Sequence, residues 1–291
     1  MQNTQASRLN LLETEDLQNM SVMKTILKQQ TDSFFLDSLP AREQVKYHLL
    51  VVHGLNQNPE SFKPLLVDLS KRGITCHLLH LPGHLNDDVL NQSVTKEMIL
   101  KAYIKAYQKV QSMAEVDDVP FGFLGYSFGG LIGTSQLNSY HFNKVLLLAP
   151  ALKLRPFTHG LRPLLPVLSR VFSVPLGNRK MEERYRFHHR GVPRAVYKTF
   201  FQIYDSFQFQ RRKKEILSKV EGMVFVHPRD ELVSYWRLRR WLKKHSNWQL
   251  KRLSNSKGEF NRYRHLVFDE TTLGKESYQS LVDEAVQFLL R

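Results

Sequence analysis

The chain has 291 residues, 42% of them hydrophobic and 24% charged. That is room for one α/β domain with a sizeable core, and the composition is ordinary for a globular protein rather than a disordered or fibrous one. The single cysteine, Cys76, excludes an intrachain disulfide, and its apolar setting from Ile74 to Leu79 predicts a buried small hydrophobe rather than a reactive thiol. The net charge of +15 is concentrated: residues 151–219 carry sixteen Lys/Arg against four acids. Such a field draws anionic substrates, a membrane surface or nucleic acid, or it solvates a basic face. No nucleic-acid-binding motif accompanies it.

In chain order, the first thirty residues are polar and partly periodic, with Leu11, Leu12, Leu17, Met20 and Met23 at the spacing of a short amphipathic helix. They lack the basic start and apolar run of a secretory signal, and no stretch reaches the ~18 apolar residues of a membrane span, so the expected location is the cytoplasm. Phe34 to Leu39 and Val45 to His53 predict strands, the second a continuous apolar run closed by Gly54 that suits burial on both faces. Pro59 to Arg72 predicts a helix stopped by Gly73, Ile74 to Leu81 a strand, and Ser93 to Met113 a second helix with Met98, Ile99, Tyr103, Ala106, Tyr107 and Val110 on one side. Lys144 to Ala149, Met223 to His227 and Trp248 to Leu253 predict further strands, and Ser277 to Leu290 a closing helix. This alternation implies an α/β architecture with a mostly parallel central sheet and helices on both faces.

Between Ala151 and about Glu215 the alternation stops, and prolines at 156, 163, 166, 175 and 193 break up apolar and basic pieces. The reading is a helical cap, residues 151–215, inserted over the carboxyl edge of a core made of 33–150 and 216–291, with 1–32 as an N-terminal extension. The alternative, that 151–215 continues the sheet, has no strand pattern behind it. Leu152, Leu154, Phe157, Leu161, Leu164, Leu165, Val167, Leu168 and Phe172 either line an acyl pocket or form core between cap helices.

Chemistry concentrates in Gly125-Tyr126-Ser127-Phe128-Gly129, a G-x-S-x-G pattern extended by Gly130. A strand-like PFGFL precedes it and a helix-like LIGTSQL follows, the context in which a sharp turn projects the serine hydroxyl above a sheet. A serine hydroxyl needs a base, and the twelve histidines leave the choice to position. In the order Ser, acid, His, the acid follows a strand: Asp230 ends Val224 to Arg229, with Glu231 as the solvated runner-up. The base comes later, before the last helix: His265, with His245 disfavoured by Lys243 and Lys244 beside it. Two amides are expected to receive developing negative charge, Phe128 N–H after the nucleophile and Leu55 N–H after the second strand. His53 is expected to brace that loop rather than act as a second base.

Four blocks, VVHGLNQNPESF, LHLPGHL, GFLGYSFGGL and the pair VFVHPRDELVS with RHLVFDE, resemble the α/β-hydrolase superfamily. They are most similar to its monoacylglycerol-lipase, bacterial carboxylesterase and serine-aminopeptidase-like branch. Pro228 and Arg229 stand where small residues are common before the acid, and Arg264 where a glycine commonly precedes the histidine. The resemblance implies an α/β-hydrolase fold, a serine hydrolase cleaving carboxylic esters through Ser127, and neither cofactor nor metal. The expected partner is a small-molecule ester, acyl or anionic, with weak attachment to a membrane surface as a further reading of the charge. Amide or peptide cleavage by the same triad, or a non-catalytic binding protein using its basic cap, are the competing functions.

Overall fold

A computed structural model describes residues 36–40, 44–84, 88–156, 179–188, 191–213, 216–254 and 263–291. The N-terminal helix expected from Leu11 to Met23, residues 34–35 of the first strand and the cap residues from Phe157 to Phe172 lie outside these. The chain divides into a unit spanning residues 1–35 and a compact unit spanning Leu36–Arg291, which holds every feature discussed below.

Seven strands form one sheet in the order β1-β3-β2-β4-β5-β6-β7: β1 Leu36–Leu39, β2 Tyr47–Val52, β3 Ile74–Leu79, β4 Phe121–Tyr126, β5 Lys144–Leu148, β6 Glu221–Val226 and β7 Trp248–Arg252. β1 runs antiparallel to β3, and every other pairing is parallel. Alternate residues of each strand face opposite sides, so β2 sends Leu50 and Val52 into one apolar layer and Tyr47, Leu49 and Val51 into the other. The first layer packs against α3 (Lys96–Val116) and α4 (Phe128–Gln136), the second against α1 (Lys63–Ser70) and α9 (Lys275–Leu290). A sheet covered on both faces leaves the ends of its strands as the place for chemistry, and the carboxyl ends of β2, β4 and β6 carry the loops of interest.

The helix starts have local causes. Thr95 caps α3 by accepting from Met98 N–H at 3.2 Å, and Asp269 caps α8 (Glu270–Leu273) by accepting from Thr272 N–H at 3.0 Å. Two more helices, α2 (Asp88–Ser93) and α7 (Tyr235–Leu242), do not stand out in the sequence. α7 buries Leu238, Trp241 and Leu242, packs Tyr235 partly against the same core, and turns arginines and a two-thirds exposed Trp236 outward; at eight residues it is a short segment for periodicity to mark.

Between β5 and β6 lie α5 (Arg179–Tyr185) and α6 (Arg194–Lys213). Among the described residues this stretch adds no strand to the sheet; it makes only isolated bridges, Gln57 to Arg186 and Leu154 to Val233. α6 packs on α2, α3 and α4, where Phe200 meets Phe128 edge to face at 5.2 Å.

The glycines on either side of the β4–α4 turn are set by clearance. A Cβ on Gly129 would lie 2.1 Å from the Val52 carbonyl oxygen, and one on Gly125 would lie 2.6 Å from the Gly130 Cα. The start of α4 can therefore press against the end of β2 only without side chains there. Gly129→Ala is expected to lose about 1–3 kcal/mol or more of stability in denaturant unfolding, the scale of core overpacking. Unchanged stability would contradict this packing.

Candidate active site

Ser127 sits at the β4–α4 turn with φ 47° and ψ −108°, a conformation that costs a non-glycine residue energy and is held by its surroundings. Its N–H donates to Leu148 O at 2.9 Å, and its carbonyl accepts from Ala151 N–H at 2.9 Å and Leu131 N–H at 3.2 Å. The strained backbone is thus pinned from β5, from the segment after it and from the helix it starts. The result lifts the hydroxyl off the sheet end.

The three residues singled out in the sequence meet here. The Ser127 hydroxyl lies 2.8 Å from His265 Nε2, and His265 Nδ1 lies 2.8 Å from Asp230 Oδ2. The proton positions follow from the chemistry of the partners. An ionised carboxylate only accepts, so Nδ1 carries the hydrogen and Nε2 keeps a lone pair for the serine proton. Asp230 is fully buried, and its other oxygen accepts Leu232 N–H at 2.8 Å and Val233 N–H at 2.7 Å. The backbone carbonyl of Asp230 accepts from Arg155 Nε at 2.6 Å, tying the acid loop to the segment after β5.

Glu231 is not the solvated neighbour its sequence position suggests. Its carboxylate accepts Arg264 N–H at 3.1 Å and His265 N–H at 3.0 Å, clamping the backbone that carries the imidazole. Adjacent carboxylates thus divide the task, one holding the ring and the other the main chain. Tyr126 adds a third hold, donating its hydroxyl to the His265 carbonyl at 3.2 Å while its ring lies 5.3 Å from the imidazole. Burial favours the neutral imidazole of His265, but the charge of Asp230, its hydrogen bond and the charge of Glu231 outweigh it and raise the pKa above the ordinary 6.5. His245 lies elsewhere, at the end of α7 with its ring 5.9 Å from Trp241.

The two expected amide donors flank the serine. Phe128 is the first residue of α4, so its N–H is one of the donors a helix leaves unpaired at its start. On the other side, a Cβ on Gly54 would come within 3.2 Å of Ser127 Cβ, which sets the β2 loop directly beside Ser127. Leu55 N–H shares its peptide unit with Gly54 O, and that oxygen accepts from His53 Nδ1 at 2.8 Å and from Gln57 N–H at 3.3 Å. A trans peptide points its N–H opposite its C=O, so these two donors aim the Leu55 amide. Burial holds the His53 pKa down to about 3, with Gly54 and His80 as lesser influences; the ring stays neutral and accepts Leu81 N–H at 3.0 Å on Nε2.

Cys76 is buried in β3, and burial pushes its thiol pKa up. Among the described residues no group of three His, Cys, Asp or Glu is placed to hold a metal ion, and no helix is long and apolar enough to cross a membrane. Arg184, a cationic residue of the basic 151–219 stretch, is engaged locally, pairing with Asp269 at 3.0 Å.

A sequence profile for the alpha/beta hydrolase fold matches residues 47–163. Solved structures of similar shape include a soluble variant of monoglyceride lipase from Saccharomyces cerevisiae in complex with a substrate analog (TM-score 0.70, 14% identity, 88% of this chain and 91% of that one). A monoacylglycerol lipase of Paleococcus ferrophilus (0.62, 17%, 88% and 99%) and a thermostable carboxyl esterase of Bacillus coagulans in complex with glycerol (0.65, 11%, 87% and 93%) are also similar. No curated protein matches by sequence. At these identities the structural likeness establishes the fold.

On the expectation that His265 is a base that must be neutral to act, its raised pKa predicts that activity falls as pH drops through a value above 6.5. Glu231→Gln removes one charge that favours the imidazolium, so it should move that acid limb of kcat/KM to lower pH. An unmoved limb would show that Glu231 has no electrostatic hold on the base.

Proposed function

We propose that this chain, an α/β hydrolase by fold, is a serine hydrolase that cleaves carboxylic esters through an acyl-enzyme on Ser127. The observation that carries the reading is the pair of 2.8 Å contacts joining the Ser127 hydroxyl, the His265 ring and a fully buried carboxylate. A hydroxyl alone is a poor nucleophile, and a ring held in the correct tautomer by a buried acid is what activates it.

In the proposed cycle Ser127 Oγ bonds to the ester carbonyl carbon while its proton passes to His265 Nε2. The carbonyl π electrons move onto oxygen, and the resulting oxyanion is received by Leu55 N–H and Phe128 N–H. Collapse of the tetrahedral adduct breaks the bond to the alcohol oxygen, which leaves with the proton from His265. Water then repeats the sequence on the acyl-enzyme and releases the acid. Asp230 stays ionised throughout and stabilises the imidazolium at each half-reaction. Esters are favoured as substrates because the similar structures are lipases and esterases, one in complex with a substrate analog and one with glycerol.

The test is covalent labelling with a fluorophosphonate, alongside hydrolysis of p-nitrophenyl esters of graded chain length and of aminoacyl amides. Wild type should label once and turn over esters in preference to amides. Ser127→Ala should abolish labelling and lower kcat by roughly 10⁴-fold or more, the scale for a triad nucleophile. Esterase activity surviving in that variant would refute the assignment, and faster turnover of amides would change the substrate class. Asp230→Asn, which offers the wrong partner to Nδ1, should cost on the order of 10⁴-fold in kcat. A mild loss there would remove Asp230 from the role.

A further inference from the structure

We propose that Asn56 is a positioning residue for the Leu55 oxyanion donor, and that it makes the donor's alignment depend on residues 185–188 of the β5–β6 insertion being seated. This rests on the ester-hydrolase reading of Ser127 and deepens it. Asn56 directly follows Leu55 and has φ 54°, the left-handed region that asparagine tolerates better than most residues. Of the four hydrogen bonds Asn56 makes among the described residues, three lead to the insertion.

Its side-chain amide behaves like an added peptide group. Oδ1 accepts His188 N–H at 2.8 Å, and Nδ2 donates to His188 O at 3.2 Å. Its backbone carbonyl accepts Phe187 N–H at 3.2 Å, and two residues on, Asn58 N–H donates to Tyr185 O at 2.9 Å. With the Gln57–Arg186 bridge, the whole turn from 56 to 58 runs alongside 185–188. The remaining bond of Asn56, from its N–H to His84 Nε2 at 2.8 Å, is made to a buried ring that burial, followed by His53 and His188, keeps neutral and accepting.

The insertion segment is in turn anchored at both ends. His188 Nε2 donates to Gly83 O at 2.8 Å. Tyr185 and Arg184 both bond to Asp269 Oδ2, a carboxylate four residues beyond His265 that also caps α8. One short segment therefore grips the loop bearing an oxyanion donor and the loop bearing the base. His53 and Gln57 fix the near side of the Leu55 peptide; Asn56 fixes the far side, and it does so through the insertion. An oxyanion donor acts on the transition state far more than on bound substrate, so loosening it belongs in kcat rather than in KM.

The experiment measures short-chain ester kinetics and inhibition by an alkyl trifluoromethyl ketone. Its carbonyl carbon bonds to Ser127 Oγ, the proton goes to His265, and the former carbonyl oxygen becomes an oxyanion between the two amides. Asn56→Gly removes both side-chain bonds while accommodating the positive φ. Its kcat should fall on the order of 10- to 100-fold, at or below the cost of losing one oxyanion donor outright. KM should hold within a few-fold, and ketone affinity should fall by the same factor as kcat/KM. The acid limb of the pH profile should not move, because His265 and Asp230 are untouched. Asn56→Asp keeps the acceptor for His188 N–H but turns a carboxylate oxygen toward the His188 carbonyl, so its kcat and ketone affinity should fall at least as far; being isosteric, it carries that part of the test if the glycine variant does not fold. Wild-type kcat and ketone affinity in folded variants would overturn the inference, as would a kcat loss without loss of ketone affinity or a shifted acid limb. A wild-type enzyme that neither hydrolyses esters nor binds the ketone would instead overturn the ester-hydrolase reading, and this inference with it.

Discussion

A carboxylate stripped of water is tolerated in a protein only when its oxygens are fully occupied, and Asp230 is the group on which the arrangement around Ser127 depends. With no solvent exposure, it has two backbone amides on one oxygen and the His265 ring on the other. Every consequence at the site follows from that satisfaction. The amides come from the turn after β6, so the sheet sets where the charge lies. The charge dictates which ring nitrogen bears the proton, and that leaves Nε2 open toward the hydroxyl. It also offsets the burial that would otherwise lower the histidine's affinity for a proton.

The second constraint is clearance at the β4–α4 turn. Ser127 holds its costly φ beside a helix start that passes within reach of the Val52 and His53 carbonyls, which only glycine at 129 permits. The same close approach brings Gly54, and so the Leu55 amide, beside the serine. Ser127 and the Leu55 peptide are thus neighbours across the contact between β2 and α4. Loops from four different strand ends converge there, and the segment 184–188 of the insertion ties two of them together through Asn56 and Asp269.

Much of this was legible in the sequence because the relevant signals are local. Continuous apolar runs mark strands buried on both faces, as YHLLVV does for β2, and a glycine-flanked serine between strand and helix patterns marks the turn. The order of acid and histidine along the chain then brings Asp230 and His265 within reach of Ser127. What stayed hidden is tertiary. Glu231 reads as a surface acid because no pattern reports that its partners, the amides of 264 and 265, arrive from 33 and 34 residues away. Asn56 reads as a turn residue, since its contacts with His188 span 132 positions. Asp269 carries a cap signal toward Thr272 but none toward Tyr185 and Arg184. α7 escaped because its stripe of Tyr235, Leu238, Trp241 and Leu242 runs over only eight residues.

The most direct measurement of the mechanism is rapid-quench mass spectrometry during turnover of a p-nitrophenyl ester. With an ester whose deacylation limits turnover, attack by Ser127 gives a burst of nitrophenol and, in the same milliseconds to seconds, a mass gain equal to the acyl group on the peptide containing Ser127. An acyl group on any other residue, or a burst unaccompanied by acylation of the Ser127 peptide, would contradict it.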